Sequence, residues 1–133
     1  MTGKQVILSK NAPAPIGPYS QAVLIDRFLY ISGQIALDDT GKMHNESIET
    51  ETHQVMKNLG FILKEAGMDY SNVIKSSIFV KDLNNFGTIN EIYGSYFAEN
   101  PPARETVEVS RLPKDAQVEI SCIAVMNNPD YVS

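Results

Sequence analysis

The stretch Pro102-Ala103-Arg104-Glu105-Thr106-Val107-Glu108-Val109 sets a single arginine at the head of an alternating strand, and Val118-Glu119-Ile120 follows after a short turn with one glutamate between apolar neighbours. A guanidinium is a planar fork that grips a carboxylate through two contacts. A carboxylate can hold a water or take its proton. The pair would bind a small anion and present a water beside it. The other use of such a pair is a plain salt bridge across two strands, which is common on sheets and weak.

Strand alternation decides which way these groups face. Val107 and Val109 read as core-facing, which turns Arg104, Thr106 and Glu108 to the opposite face of a strand over 104–109. Val118, Ile120 and Cys122 form the apolar set of a last strand over 117–126, which turns Gln117, Glu119 and Ser121 the same way. Taken as a hairpin closed by residues 111–114, the two strands set Thr106 across from Glu119 and Arg104 across from Ser121. Arg104 and Glu119 are then diagonal neighbours within reach of one ligand.

The remaining elements follow from periodicity. Ile48, Thr52, Val55, Met56, Leu59, Leu63 and Ala66 predict a helix over 48–66, capped by Ser47 and ended by Gly67. A second helix is expected over 85–98, with Phe86, Ile89, Tyr93, Tyr96 and Phe97 as its buried stripe and Pro101-Pro102 as its stop. Further strands are expected at 6–9, 20–26, 28–32 and 73–81, with Pro13, Pro15 and Pro18 stiffening the loop over 12–18. The order is β-β-β-α-β-α-β-β, an α/β (α+β) single sheet with two helices on one face. The other face would carry Phe79 or Ile78, Ile123 and Val125, too apolar to stand in water. A homo-oligomer with its sheets packed together is expected; a monomer with a half-wetted antiparallel sheet is the alternative.

The chain of 133 residues suits one domain, 1–133, and its 43% hydrophobic content suffices for a core. A net charge of -5 argues against nucleic-acid and anionic-membrane partners. The lone Cys122 leaves no internal disulfide and no multi-cysteine zinc site, and reads as a small core residue. With no apolar run of signal-peptide or membrane-span character, a cytoplasmic location is expected. His44 and His53 lack partners at metal-ligand spacing and read as surface residues, so no metal site is expected. Ser32-Gly33 ends a strand where a ligand could approach backbone N–H groups. Tyr19, in the stiff loop, either plugs an edge of the core or offers a phenol.

Several separate blocks, in order, carry a resemblance: Ile16-Gly17-Pro18-Tyr19-Ser20-Gln21-Ala22, Ile31-Ser32-Gly33-Gln34-Ile35, Val80-Lys81-Asp82-Leu83, Pro102-Ala103-Arg104, Val107-Glu108-Val109, Arg111-Leu112-Pro113-Lys114-Asp115 and Val118-Glu119-Ile120. Over essentially its whole length the chain resembles the Rid family (YjgF or UK114-like proteins), in its imine-deaminase branch. The resemblance implies a chorismate-mutase-like fold, a homotrimer with the sheets inside, and clefts between subunits. It implies hydrolysis of 2-imino acids to 2-oxo acids and ammonia without a cofactor. The imines would come from pyridoxal-phosphate-dependent dehydratases that are not stable partners. The resemblance maps carboxylate binding to Arg104, water positioning to Glu119, and ligand contacts to Tyr19, Ser32, Gly33, Asn90 and Phe86. Glu105 and Thr106 depart from the family pattern of a small residue and then, in many members, a cysteine. No role of that cysteine carries over.

The expected activity is therefore deamination of 2-iminobutanoate and 2-iminopropanoate. A small-carboxylate-binding regulatory trimer acting on a partner protein is the alternative. A ribonuclease or translation inhibitor is disfavoured by the acidic balance and the lack of a histidine acid–base pair.

Overall fold

The computed structural model describes residues 1–129; residues 130–133, the tail of the expected domain, lie outside the described residues. The strands are β1 (Gln5–Ile7), β2 (Ala22–Ile25), β3 (Phe28–Gln34), β4 (Val73–Val80), β5 (Ala103–Glu108) and β6 (Val118–Val125). Two α-helices, α1 (Ile48–Glu65) and α2 (Phe86–Gly94), interrupt them. The expected element order therefore holds.

Local chemistry sets the helix ends. Ser47 Oγ accepts the Thr50 N–H, Glu49 and Glu51 lie in the first turn of α1, and Gly67 leaves the helix at φ +76°. Such a cap contributes about 1 kcal/mol. The second helix stops at Gly94, short of the expected residue 98, and Ser95, Tyr96 and Phe97 continue as hydrogen-bonded turns. From these turns Tyr96 packs on Tyr70, and Phe97 packs on Tyr70 and Tyr93.

The six strands form one sheet in the order β1-β2-β3-β6-β4-β5. This overturns the expected pairing of the last two strands. β6 is central, antiparallel to both β3 and β4, while β5 lies at the edge, parallel to β4. A parallel pair needs a crossover, and α2 supplies it between β4 and β5. The placement also follows from polarity. β6 buries Val118, Ile120, Cys122 and Ala124. In β5 every residue but Thr106 is exposed. Such a strand belongs at an edge.

The core lies between the helices and one sheet face, with Leu29, Met56, Leu59, Ile62, Ile78, Ile89 and Ile120 fully enclosed. Ile78 is therefore a core residue, and Phe79 is the one turned to the other face. No helix covers that other face. A row of Val6, Val23, Tyr30 and Ile123 crosses it, and Phe28 and Val107 stand exposed on it. It is the apolar open face that the sequence predicts.

Candidate active site

Register fixes the two charged residues on opposite sides of the sheet. Arg104 is level with Ser76 and, across β4, with Cys122, both buried beneath the helices. Glu119 is level with Phe79, which is level with Val107, and this row faces away from the helices. The alternation predicted for β5 holds but its face is reversed: Arg104, Thr106 and Glu108 turn toward the helix side, and Val107 turns outward. Thr106 is level with Ile78 and does not meet Glu119. In one chain Arg104 and Glu119 are thus neither diagonal neighbours nor a salt bridge. A whole strand separates them, and they emerge on opposite faces.

Each stands in a furnished setting. Arg104 Nη1 donates to Asn90 Oδ1 at 2.6 Å, and the guanidinium lies over the Phe86 and Tyr93 rings, with its carbon 5.5 Å and 5.3 Å from their centroids. The rings hold the fork by cation–π attraction and leave its other N–H groups free to bind an anion. Tyr93 is itself fixed, because its hydroxyl donates to Ser76 Oγ at 2.9 Å, and Ser76 Oγ lies 3.4 Å from Cys122 Sγ. Asn90, Tyr93, Pro101, Pro102 and Arg104 line a cleft here. Cys122 is buried, and burial pushes its thiol up to about 11, which makes it a packing residue and a poor nucleophile.

Glu119 is half-buried and lines a cavity of about 50 Å³ with Pro13, Tyr19, Gly33, Gln34 and Pro113. A water needs roughly 10–15 Å³ of such space, so the cavity has room for a few. Burial holds the Glu119 carboxyl above the usual carboxylate range. Tyr19 Oη accepts the Ile16 N–H at 3.2 Å, which leaves its own proton available to donate. Ser32 lines the adjoining cleft with Tyr19, but its hydroxyl is committed to the Ser20 carbonyl at 2.6 Å, so it shapes the strand end.

The structure therefore gathers the candidates into two clusters: Tyr19, Gly33 and Glu119, with Ser32 beside them, on the open face, and Phe86, Asn90 and Arg104 at the helix-side edge. Sequence reasoning missed Tyr93 as the second ring under the guanidinium, although it placed Tyr93 in the buried stripe of α2. It also missed two buried oxygens that have no hydrogen-bond partner among the described residues, Gln34 Oε1 and Thr106 Oγ1. Gln34 lines the Glu119 cavity. Thr106 lies two residues along β5 from Arg104, on the same face.

Glu105 turns to the open face, away from Arg104, as alternation predicts. Its carboxylate pairs with Lys75 Nζ at 2.8 Å and accepts from the Ser77 hydroxyl, and these contacts, Lys75 first, hold its carboxyl below the usual range. The histidines are engaged elsewhere: His44 Nε2 meets Asp38 Oδ2 and His53 Nδ1 meets Tyr96 Oη, each at 2.7 Å. Among the described residues no three His, Cys, Asp or Glu side chains converge as metal ligands would. No helix among them is long and apolar enough to cross a membrane.

A two-helix, six-strand α+β protein with an uncovered apolar sheet face and an arginine fork at its edge is the class that fold and site define. Residues 9–126 match the family described as Endoribonuclease L-PSP, and the chain belongs to this family, the Rid (YjgF) family. It is 50% identical over 123 residues to the 2-iminobutanoate/2-iminopropanoate deaminase of Rattus norvegicus, covering 92% of this chain and 90% of that protein. The fold is similar to that of the Rid-family protein YyfA of Yersinia pestis, with TM-score 0.90, 47% identity, and coverage of 92% of this chain and 99% of that one. It is similar also to TdcF of E. coli, solved with bound serine, with TM-score 0.89, 36% identity, and coverage of 92% and 99%.

Proposed function

We propose that the chain hydrolyses the reactive 2-imino acids 2-iminobutanoate and 2-iminopropanoate to 2-oxo acids and ammonia, as a cytoplasmic homotrimer of one domain per chain. The activity is that named for the relative that shares half its residues. The observation that carries the site is the placement of Arg104 and Glu119 on opposite sheet faces. In a 2-imino acid the carboxylate is bonded directly to the reacting carbon. The group that binds the carboxylate and the group that delivers water must therefore converge on one small molecule. One chain cannot do this, whereas two can. The β5 edge of one subunit, with Arg104, would face the open sheet of the next, with Glu119. Packing open faces together also removes Phe28, Tyr30 and Val107 from water.

In the assembled cleft Arg104 grips the substrate carboxylate, and Asn90 and Phe86 keep the fork in place. Glu119 orients a water and takes its proton as the water oxygen bonds to the imine carbon. The C=N electron pair moves to nitrogen, which takes up a proton. In the resulting carbinolamine the hydroxyl proton passes by way of the Glu119 carboxylate to the amine nitrogen, and the C–N bond breaks to release ammonia and the 2-oxo acid. Tyr19 and the backbone beside Gly33 steady the nitrogen end. Imines hydrolyse unaided, so positioning supplies the acceleration. Pyridoxal-phosphate-dependent dehydratases of serine and threonine would supply such imines without stable binding.

Subunit mixing tests the reading. Arg104→Ala and Glu119→Gln would each be nearly inactive alone. Unfolded together in equal amounts and refolded, they form mixed trimers in which one cleft in three has both wild-type groups, so about a quarter of wild-type activity returns. A monomer mass in light scattering, or no recovery from refolded mixed trimers, would refute the composite site.

A further inference from the structure

Of the three fully buried polar side chains of helix α1, Thr52 bonds the Ile48 carbonyl of its own helix, whereas Glu51 and Asn58 reach outside it. Glu51 is 1% exposed and Asn58 0%. They are two turns apart, so both project from the face that meets the sheet. Charged side chains are almost never buried this completely without a partner. Here each partner is backbone bordering the Glu119 cavity.

Glu51 Oε2 accepts the Gln117 N–H at 2.6 Å and the Val118 N–H at 3.3 Å. These are the two residues immediately before Glu119. Just upstream the chain turns through Lys114 and Asp115, both at positive φ, 54° and 55°. Glu51 is thus the fixed point at which this irregular connection becomes the regular ladder of β6. Asn58 Nδ2 donates to the carbonyls of Ile35 at 3.1 Å and Leu37 at 2.8 Å, and Ile35 and Leu37 line the cavity too. Asn58 Oδ1 accepts from Gln54 Nε2 at 3.0 Å, which fixes the amide orientation. One rigid helix therefore grips both strand ends that form the cavity.

We propose that Glu51 is a positioning residue for the hydrolysis, setting where the Glu119 carboxylate stands by holding the Gln117 and Val118 N–H groups, with Asn58 fixing the part of the wall made by Ile35 and Leu37. This rests on the reading of Glu119 as the water-holding group. Glu51 never touches substrate. It acts through two backbone bonds on the residue that follows them. Arg104 lies on another strand and owes nothing to this brace, so ligand gripping and water placement separate.

The experiment compares Glu51→Asp, Glu51→Gln and Glu119→Gln with wild type, well below each melting temperature. It measures 2-oxobutanoate affinity, and imine turnover in competition with semicarbazide trapping. Aspartate keeps the charge but draws the acceptor back by one methylene. Glutamine keeps the length and one acceptor oxygen. Glu51→Asp is expected to lower turnover about 10- to 100-fold while 2-oxobutanoate affinity stays within about twofold, since small misplacements near a reacting atom carry costs of that size. Glu51→Gln is expected to recover most of the turnover. Normal turnover by Glu51→Asp, or loss of affinity and turnover together in step with melting temperature, overturns the inference. If Glu119→Gln itself turns over normally, the reading of Glu119 fails and this inference with it. An impaired Glu119→Gln beside a normal Glu51→Asp overturns the inference alone. Should Glu51→Asp not fold, Asn58→Ser carries the same comparison: a turnover loss at unchanged affinity supports the brace, and a parallel loss overturns it.

Discussion

Gly33 lies directly against the Glu119 carboxylate. A Cβ built on this glycine would stand 2.7 Å from Glu119 Oε2, 2.8 Å from its Cδ and 3.0 Å from its Cγ. The close approach explains why a strand end facing the cavity carries no side chain, and it makes Gly33 the floor on which the carboxylate rests.

Gly33→Ala should therefore move the carboxylate more than it harms the fold. The clash is with the end of a side chain, which can swing aside, and not with backbone. Turnover is expected to fall about tenfold or more, as for other small misplacements of a reacting group. The melting temperature should shift little. Turnover unchanged in a folded Gly33→Ala protein would detach Glu119 from the chemistry.

Glu119 also predicts a pH signature. Burial raises its folded-state pKa above the unfolded value, so the folded chain holds this proton more tightly. The associated stability is complete below the unfolded pKa and is lost as pH rises through the folded one. Near neutrality the ionised carboxylate is a desolvated charge. Glu119→Gln should therefore melt higher than wild type at neutral pH, and the gap should close as pH falls through the raised pKa. Wild-type turnover should fall over that same range, above the usual carboxylate range, because the water-holding group must be ionised. Melting curves of both proteins at neutral and acidic pH provide the check; a gap independent of pH would remove burial as the cause.

The helices, strands and lone buried cysteine were legible because each rests on local periodicity. The 3.6-residue spacing of α1 and the strict alternation of β6 each point to one answer. The partner of a strand is not a local property. Residues 111–114 look like a hairpin loop, yet the chain leaves the edge strand β5 and crosses β4 to insert β6 between β3 and β4. The face of β5 was unreadable for a related reason. Both sheet faces are apolar, so Val107 suits the open face as well as the core. Arg104 can lay its stem along the core edge while its fork reaches Asn90. Arg104 and Glu119 are singled out by their residue types and the other candidates by the family resemblance, but their separation into two clusters requires the strand order.

Tyr93→Phe should separate the two roles of this ring. The ring under Arg104 remains, so 2-oxo acid affinity should persist. The hydroxyl bond to Ser76 is lost, and Ser76 is fully buried. Stability should fall by about 1–2 kcal/mol, the cost of leaving a buried hydroxyl poorly paired. Tyr93→Leu removes the platform as well, and affinity should then fall with it. Denaturant unfolding and ligand titration of both variants give the comparison. Equal affinities for the two would mean that Asn90 and Phe86 hold the fork without Tyr93.

Arg104→Lys should fail nearly as badly as Arg104→Ala. Lysine keeps the charge, but its ammonium is a point donor on a flexible stem. It cannot grip both carboxylate oxygens while also holding Asn90 Oδ1, and it lacks the planar face that lies on Phe86 and Tyr93. The expected loss of transition-state stabilisation is about 2–4 kcal/mol, in the range for truncating one partner of a hydrogen-bonded charge pair. Glu119→Gln should differ in kind, keeping 2-oxobutanoate affinity while imine turnover slows. Measuring both quantities on both variants places each residue. Tight binding by Arg104→Lys together with normal turnover by Glu119→Gln would mean that neither cluster holds the substrate, because no exchange of roles between the two faces could leave both measurements intact.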